Sequence, residues 1–215
     1  SGRGITVARA GRERVLSVCM TPAAVILGVN RAAEALADWP GGRVRLARDD
    51  GQVSRAEFKL EELFKLVDLA IPSGGTAVDL GASPGGWTRI VRQRGMTVWA
   101  VDPGDLDPRV ASDPGVHHVR TTAGPFLATI DRTFDLVLND MRMTPALSCA
   151  LMLDAAKHLS PGGLAIVTLK ITPHDARGIV RESLRTLDRA YEIVLARQLY
   201  HNRNEVTVVA RLRDA

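Results

Sequence analysis

The chain has 215 residues, 46% of them hydrophobic, and a formal net charge of +4. That is enough apolar material for one full domain with a small appendage, and no run of about 18 apolar residues is present to cross a membrane. No secretory signal is visible, and Cys19 and Cys149 lie too far apart for a metal or redox motif, so both are expected to be reduced packing residues in a cytoplasmic protein. The mild basic excess leans toward a polyanionic partner. Of the 28 basic residues only Lys59, Lys65, Lys157 and Lys170 are lysine. An arginine-biased genome accounts for that excess, and against such a background some surviving lysines can mark positions where guanidinium, which cannot deprotonate, would fail.

In chain order, "RVLSVCMT" and "AAVILGV" flank a turn at Pro22 and predict a hairpin. A short helical stretch and Pro/Gly/Asp breakers follow to Val53, so residues 1–53 form an appendage. "SRAE" reads as a capping box with Ser54 at the cap and Glu57 three residues on. Ala56, Leu60, Leu63, Val67 and Ala70 then recur at helical spacing up to Pro72-Ser-Gly-Gly. Strands are predicted at 76–80, 97–101, 116–120, 134–139 and 164–169, with helices at 85–94, 145–158 and 175–190. Near-continuous apolar strands alternating with helices imply a parallel sheet covered on both faces. "EIVLARQLY" and "NEVTVVARL" have no helix between them, only a tight turn at 201–203, so an antiparallel hairpin closes the sheet.

"TAVDLGASPGGWTRIV", residues 76–91, joins a strand to a helix through a glycine-rich turn. Gly81, Ser83, Pro84, Gly85 and Gly86 would let a ligand approach the backbone, and the helix start adds its dipole. The loop lacks a P-loop's Gly-Lys-Ser/Thr ending and departs from G-x-G-x-x-G. Asp79 suits a cationic amino group better than a pyrophosphate. Asp102, ending the second strand, can accept both hydroxyls of a ribose, which dinucleotides and S-adenosylmethionine share. The loop favours S-adenosylmethionine over NAD. Trp87 is either a cofactor contact or core. Asp140 follows "DLVLN" and Lys170 follows "LAIVTL", both at strand ends where open sheets bind ligands. Lys59 sits in the first turn of the capped helix and Glu205 opens the last strand.

"SRAEFKLEE", "VDLGASPGGW", "LVLNDM", "GGLAIVTLK" and "YHNRNEVTVVA" together resemble the FtsJ-type ribose 2′-O-methyltransferases, over about residues 54–212. The resemblance implies a Rossmann-like S-adenosylmethionine-dependent methyltransferase fold. It also implies a Lys-Asp-Lys-Glu tetrad at Lys59, Asp140, Lys170 and Glu205, Lys170 being the proton acceptor. A lysine carries its proton at neutral pH, so the fallback role is a charged Lys170 that stabilises a developing alkoxide. Where the family has an aspartate near the adenine, this chain has Thr122. The N-terminal hairpin resembles the last strands of the family's RNA-binding domain. The implied partner is RNA, most similar in pattern to the ribosomal RNA enzymes, with Arg55, Arg142 and Arg203 on phosphates. No metal is expected at His117, His118 or His201. The alternatives are action on tRNA or a cap structure, an inactive RNA-binding or ribosome-assembly module, and an NAD-dependent oxidoreductase.

Overall fold

Two valine- and leucine-rich runs separated by only four residues can pair if the linker turns tightly. In the computed structural model they do: β1 (Arg14–Met20) and β2 (Val25–Arg31) form an antiparallel hairpin, closed by Thr21 N–H on the Ala24 carbonyl at 2.9 Å. The structure describes residues 8, 11–35, 44, 46, 51–67, 69, 71, 73–172 and 175–213. The chain divides into two compact units, Ser1–Ala47 and Arg48–Ala215. In the first unit the expected helical stretch is a single 3-10 turn at Ala32–Glu34, and its continuation lies outside the described residues. Hairpin side chains such as Leu16, Val18, Met20 and Leu27 are exposed. Cys19 is exposed too, against expectation, whereas Cys149 is buried.

The second unit is a seven-stranded sheet. Its strands are β3 (Thr76–Leu80), β4 (Thr97–Val101), β5 (Val116–Val119), β6 (Phe134–Asn139), β7 (Leu159–Lys170), β8 (Tyr191–Arg197) and β9 (Glu205–Leu212). Their order is β5-β4-β3-β6-β7-β9-β8. The first five run parallel, and β9 is antiparallel to both of its neighbours. The helices are α1 (Glu57–Leu66), α2 (Gly86–Arg92), α3 (Pro108–Ala111), α4 (Ala123–Thr129), α5 (Pro145–Ala155) and α6 (Ala176–Leu187). Because side chains alternate along a strand, Val78 and Leu80 join a core with residues of α4 and α5, while Ala77 joins the other core with Leu60 and Leu63 of α1 and Ile90 of α2. Full burial of a leucine such as Leu60 or Leu63 is worth about 1.5–3 kcal/mol.

The differences from expectation have local causes. α1 stops at Leu66, and Val67 is extended (φ −134°, ψ 126°). Val67, Leu69 and Ile71 all pack on the α1–α2 core; their spacing of two is that of extended chain, and only Val67 of them belongs to the series read as helical. Ala70 lies outside the described residues. Half of the capping box forms: Glu57 Oε1 accepts from the Ser54 N–H at 3.0 Å and the Val53 N–H at 2.6 Å, but no side chain caps the helix start. β7 begins at Leu159, ahead of the strand predicted at 164–169, and absorbs Pro161-Gly-Gly163 as an irregularity between the Phe134 and Leu136 register positions. The β8–β9 connection is a loop over residues 198–204, longer than a tight turn. α3 and α4 were not expected. Asp107 caps α3 with Pro108 behind it, and α4 starts after Thr122 with Gly124-Pro125 in its first turn.

Candidate active site

Connections run from β3 outward to β4 and β5 on one side, and from β6 to β7 on the other. The crevice at such a switch, beyond the carboxyl ends of the strands, is where open sheets bind ligands. Here it is a cavity of about 1090 Å³. Gly81, Ser83, Pro84, Asp102 and Thr122 line one part of it; Lys59, Asp140, Lys170 and Glu205 line another, with Arg55, Arg142 and Arg203.

The four charged residues converge from four elements. Lys59 on α1 donates to both oxygens of Asp140, at 3.0 Å each, and its Nζ lies 2.5 Å from Glu205 Oε2. That oxygen is buried, and the Lys59 ammonium is its close charged partner. Lys170 Nζ donates to Asp140 Oδ1 at 2.6 Å and lies 3.1 Å from Glu205 Oε1. Thr168, two residues back on the same face of β7, donates to Asp140 Oδ1 and accepts from Lys170 Nζ at 2.7 Å. Burial by itself would raise the Asp140 carboxyl, but the Lys59 and Lys170 charges outweigh it and hold it below its ordinary value. Burial would likewise lower the Lys59 ammonium, and Asp140 with Glu205 reverses that, raising it. Two cations and two anions thus share one partly buried cluster.

Also on the cavity, Asp102 Oδ2 accepts from the Ser83 N–H at 3.1 Å and Oδ1 from the Gly104 N–H at 2.7 Å. The carboxylate is fixed by its own loop yet keeps acceptor capacity toward the cavity. Gly81 (φ 77°) leaves no room for a Cβ, which would stand 2.0 Å from Met141 Cγ. A Cβ on Gly86 would meet Ser54 Oγ at 2.1 Å. At these two positions the glycines serve close packing of the loop against its own chain. Gly85 and Gly86 sit at the start of α2 rather than on the cavity wall. Asp79 and Trp87 also lie behind the wall. Asp79 accepts from Thr88 Oγ1 at 2.7 Å, and burial pushes its carboxyl up to about 7. Trp87 donates its indole N–H to the Ala56 carbonyl at 2.9 Å, tying α2 to the segment before α1.

One contact was not legible in the sequence. Glu62, buried on α1, accepts from the Tyr200 N–H at 2.7 Å, the His201 N–H at 2.9 Å and, at 2.7 Å, His201 Nδ1. It thereby anchors the loop that supplies Tyr200, His201 and Arg203 to the cavity. His118 meets the Asp102 carbonyl and His117 tilts against Trp99. Among the described residues no helix is long and apolar enough to cross a membrane, and no group of three or more His, Cys, Asp or Glu side chains is arranged to hold a metal.

A mostly parallel α/β sheet with a switch-point cleft, closed by a C-terminal antiparallel hairpin, is the Rossmann-like methyltransferase architecture. The chain belongs to the FtsJ-like methyltransferase family, whose model matches residues 52–192. It is 40% identical over 177 residues to the ribosomal RNA large subunit methyltransferase M of Halorhodospira halophila, covering 80% of this chain and 51% of that protein. To the protein of that name from Methylococcus capsulatus it is 33% identical over 201 residues, covering 87% and 55%. The chain thus spans about half the length of these curated relatives. Among solved structures, the fibrillarin pre-rRNA processing protein of Methanococcus jannaschii shares the fold at TM-score 0.60 and 15% identity, over 98% of this chain and 91% of that one. A Lactococcus lactis protein provisionally described as a hemolysin shares it at TM-score 0.64 and 21% identity, over 76% and 89%.

Proposed function

We propose that this chain methylates a ribose 2′-hydroxyl of RNA, using S-adenosylmethionine, with large-subunit ribosomal RNA in the cytoplasm as substrate. The observation that carries the reading is the cluster of Lys59, Asp140, Lys170 and Glu205 on the same cavity as the Gly81–Ser83 loop and Asp102. The residues present suit the cofactor. Asp102 retains lone pairs for a ribose diol, and the Thr122 hydroxyl lines the cavity as an acceptor for an adenine amino group. When bound, the cofactor supplies an electrophilic methyl group on a sulfonium.

The chain's own residues then position a hydroxyl and manage one proton. Lys170 must first release its own ammonium proton to solvent; as the amine it keeps two N–H donors for Asp140 and Thr168, at 2.6 and 2.7 Å, and its Nζ lone pair then accepts the hydroxyl proton. Lys59 and Glu205 keep Asp140 and Lys170 in register, and alignment supplies a large share of the rate. Asp79, Trp87, Gly85 and Gly86 support the loop from beneath. Arg55, Arg142 and Arg203, exposed beside the cavity, meet RNA phosphates. The exposed apolar hairpin of residues 14–31 suits the end of an RNA-binding domain; deleting residues 1–35 should then weaken RNA binding while sparing the cofactor, and unchanged RNA affinity would refute it.

The test is transfer of a labelled methyl group to total RNA, followed by mapping of the modified nucleotide. A 2′-O-methylated ribose in large-subunit RNA is expected. Label on a base, or no label in RNA, overturns the reading.

A further inference from the structure

Beside the catalytic cleft lies a second cavity, of about 640 Å³, to which no role has been given above. Ile171, Val180, Leu184 and Val206 contribute apolar side chains, and Arg177 and Arg181 line it as well. Glu205 lines both cavities. The wall between them is the start of β9 and the loop before it, held by the Ile171 N–H on the Asn204 carbonyl at 2.7 Å and by the Gln198 amide on the Arg203 carbonyl at 2.8 Å.

Arg177 and Arg181 are four residues apart on α6, so they share one face, and both are exposed. Among the described residues neither enters an ion pair, whereas Arg89, Arg92, Arg109, Arg120 and Arg213 all do. Two like charges at that spacing repel, a cost that a bound anion relieves. The nearby carboxylates do not take that place. Glu205 is held by Lys59 and Lys170, and Asp175 caps α6 through the Gly178 N–H. Glu182, next to Arg181, is exposed and pairs with neither arginine.

We propose that this groove is a subsite for the RNA nucleotide flanking the methylated one. Its base lies on the apolar side chains, and its phosphates meet Arg177 and Arg181. The chemistry is that of single-stranded nucleic acid, an apolar or planar face for the base beside cations for the backbone. Glu205 lines both cavities, so a strand leaving the cleft over the start of β9 comes to this groove next. The inference rests on the RNA methylation reading above.

Its test is the affinity of the full chain for a single-stranded oligoribonucleotide over a range of salt. The variants are Arg177→Gln/Arg181→Gln and, removing equal charge away from both cavities, Lys65→Gln/Lys157→Gln. Each lost phosphate contact lowers the log–log salt slope by roughly 0.7 for a single strand, so the arginine variant should lose about 1.4 and bind about tenfold or more weaker at moderate salt. S-adenosylmethionine affinity should not change. Equal slopes and affinities in the two double variants would overturn the subsite while leaving the methyltransferase reading intact. So would RNA binding unchanged with self-association lost, which would make the groove a protein interface. A wild-type chain that transfers no methyl group to RNA overturns both.

Discussion

Lys170 and Glu205 are register partners across the antiparallel β7–β9 pair, with Nζ and Oε1 3.1 Å apart. The geometry follows from the direction of β9. A parallel strand beside β7 would start at the far end of the sheet, away from the cleft. Reversing it sets its first residue, Glu205, against the last residue of β7. Asp140 arrives separately, just beyond the carboxyl end of the parallel strand β6. The closing hairpin is therefore what completes the charged cluster, and its stability should be linked to the order of the site.

Asp102→Ala should weaken S-adenosylmethionine binding by about 1–3 kcal/mol, the cost of a lost hydrogen-bonding partner. Isothermal calorimetry reads this directly. Since the Ser83 and Gly104 N–H groups also lose their acceptor, a melting curve should accompany it. Wild-type affinity in a folded variant removes the ribose role.

Glu62→Ala should strand two backbone donors, at Tyr200 and His201, each worth about 1–3 kcal/mol. The thermal midpoint should fall by several degrees. RNA should bind more weakly, because the loop carrying Arg203 loosens, while cofactor binding should hold. Glu62→Gln should recover part of the loss. An unchanged midpoint would show that the loop does not depend on this anchor.

Asp79 gives a pH signature with a definite sign. Its folded-state carboxyl is raised to about 7, chiefly by burial, from an unfolded value near 4. Between those values the folded state binds more protons, so this group's contribution to stability falls as pH rises from about 4 to about 7 and then levels off. The difference is on the order of a few kcal/mol. Asp79→Asn keeps an acceptor for Thr88 and removes the titration. Urea unfolding at pH 5 and pH 8 should show the variant gaining on the wild type at the higher pH. An equal difference at both values would contradict the burial argument.

Much of this was legible in the sequence because the signals are local. The apolar runs of β3, β4 and β6 declare a covered parallel sheet, and Asp140 and Lys170 stand just where such runs end. Other features depend on distant partners. Glu62 reads as one of several helix-surface acids until the loop 139 residues later folds onto it. Asp79 and Trp87 adjoin the glycine loop in sequence but point behind it, a distinction that requires the positions of α1 and α2. Thr168 could have been found, since a residue two positions before Lys170 on a strand shares its face. α4 stayed hidden because Gly124-Pro125 reads as a turn, although proline within the first turn of a helix costs little.

The central claim is that Lys170 takes the proton of the ribose hydroxyl, and single-turnover methyl transfer to RNA by Lys170→Arg tests it most directly. Arginine preserves the charge and nearly the length, but it cannot accept a proton. Transfer should fall by roughly a hundredfold or more, the scale of a lost general base, with cofactor affinity and melting temperature close to wild type. Lys65→Arg, on the exposed side of α1, should behave as wild type. A Lys170→Arg rate above about half that of the wild type would contradict the proton-acceptor role and leave Lys170 as a structural cation.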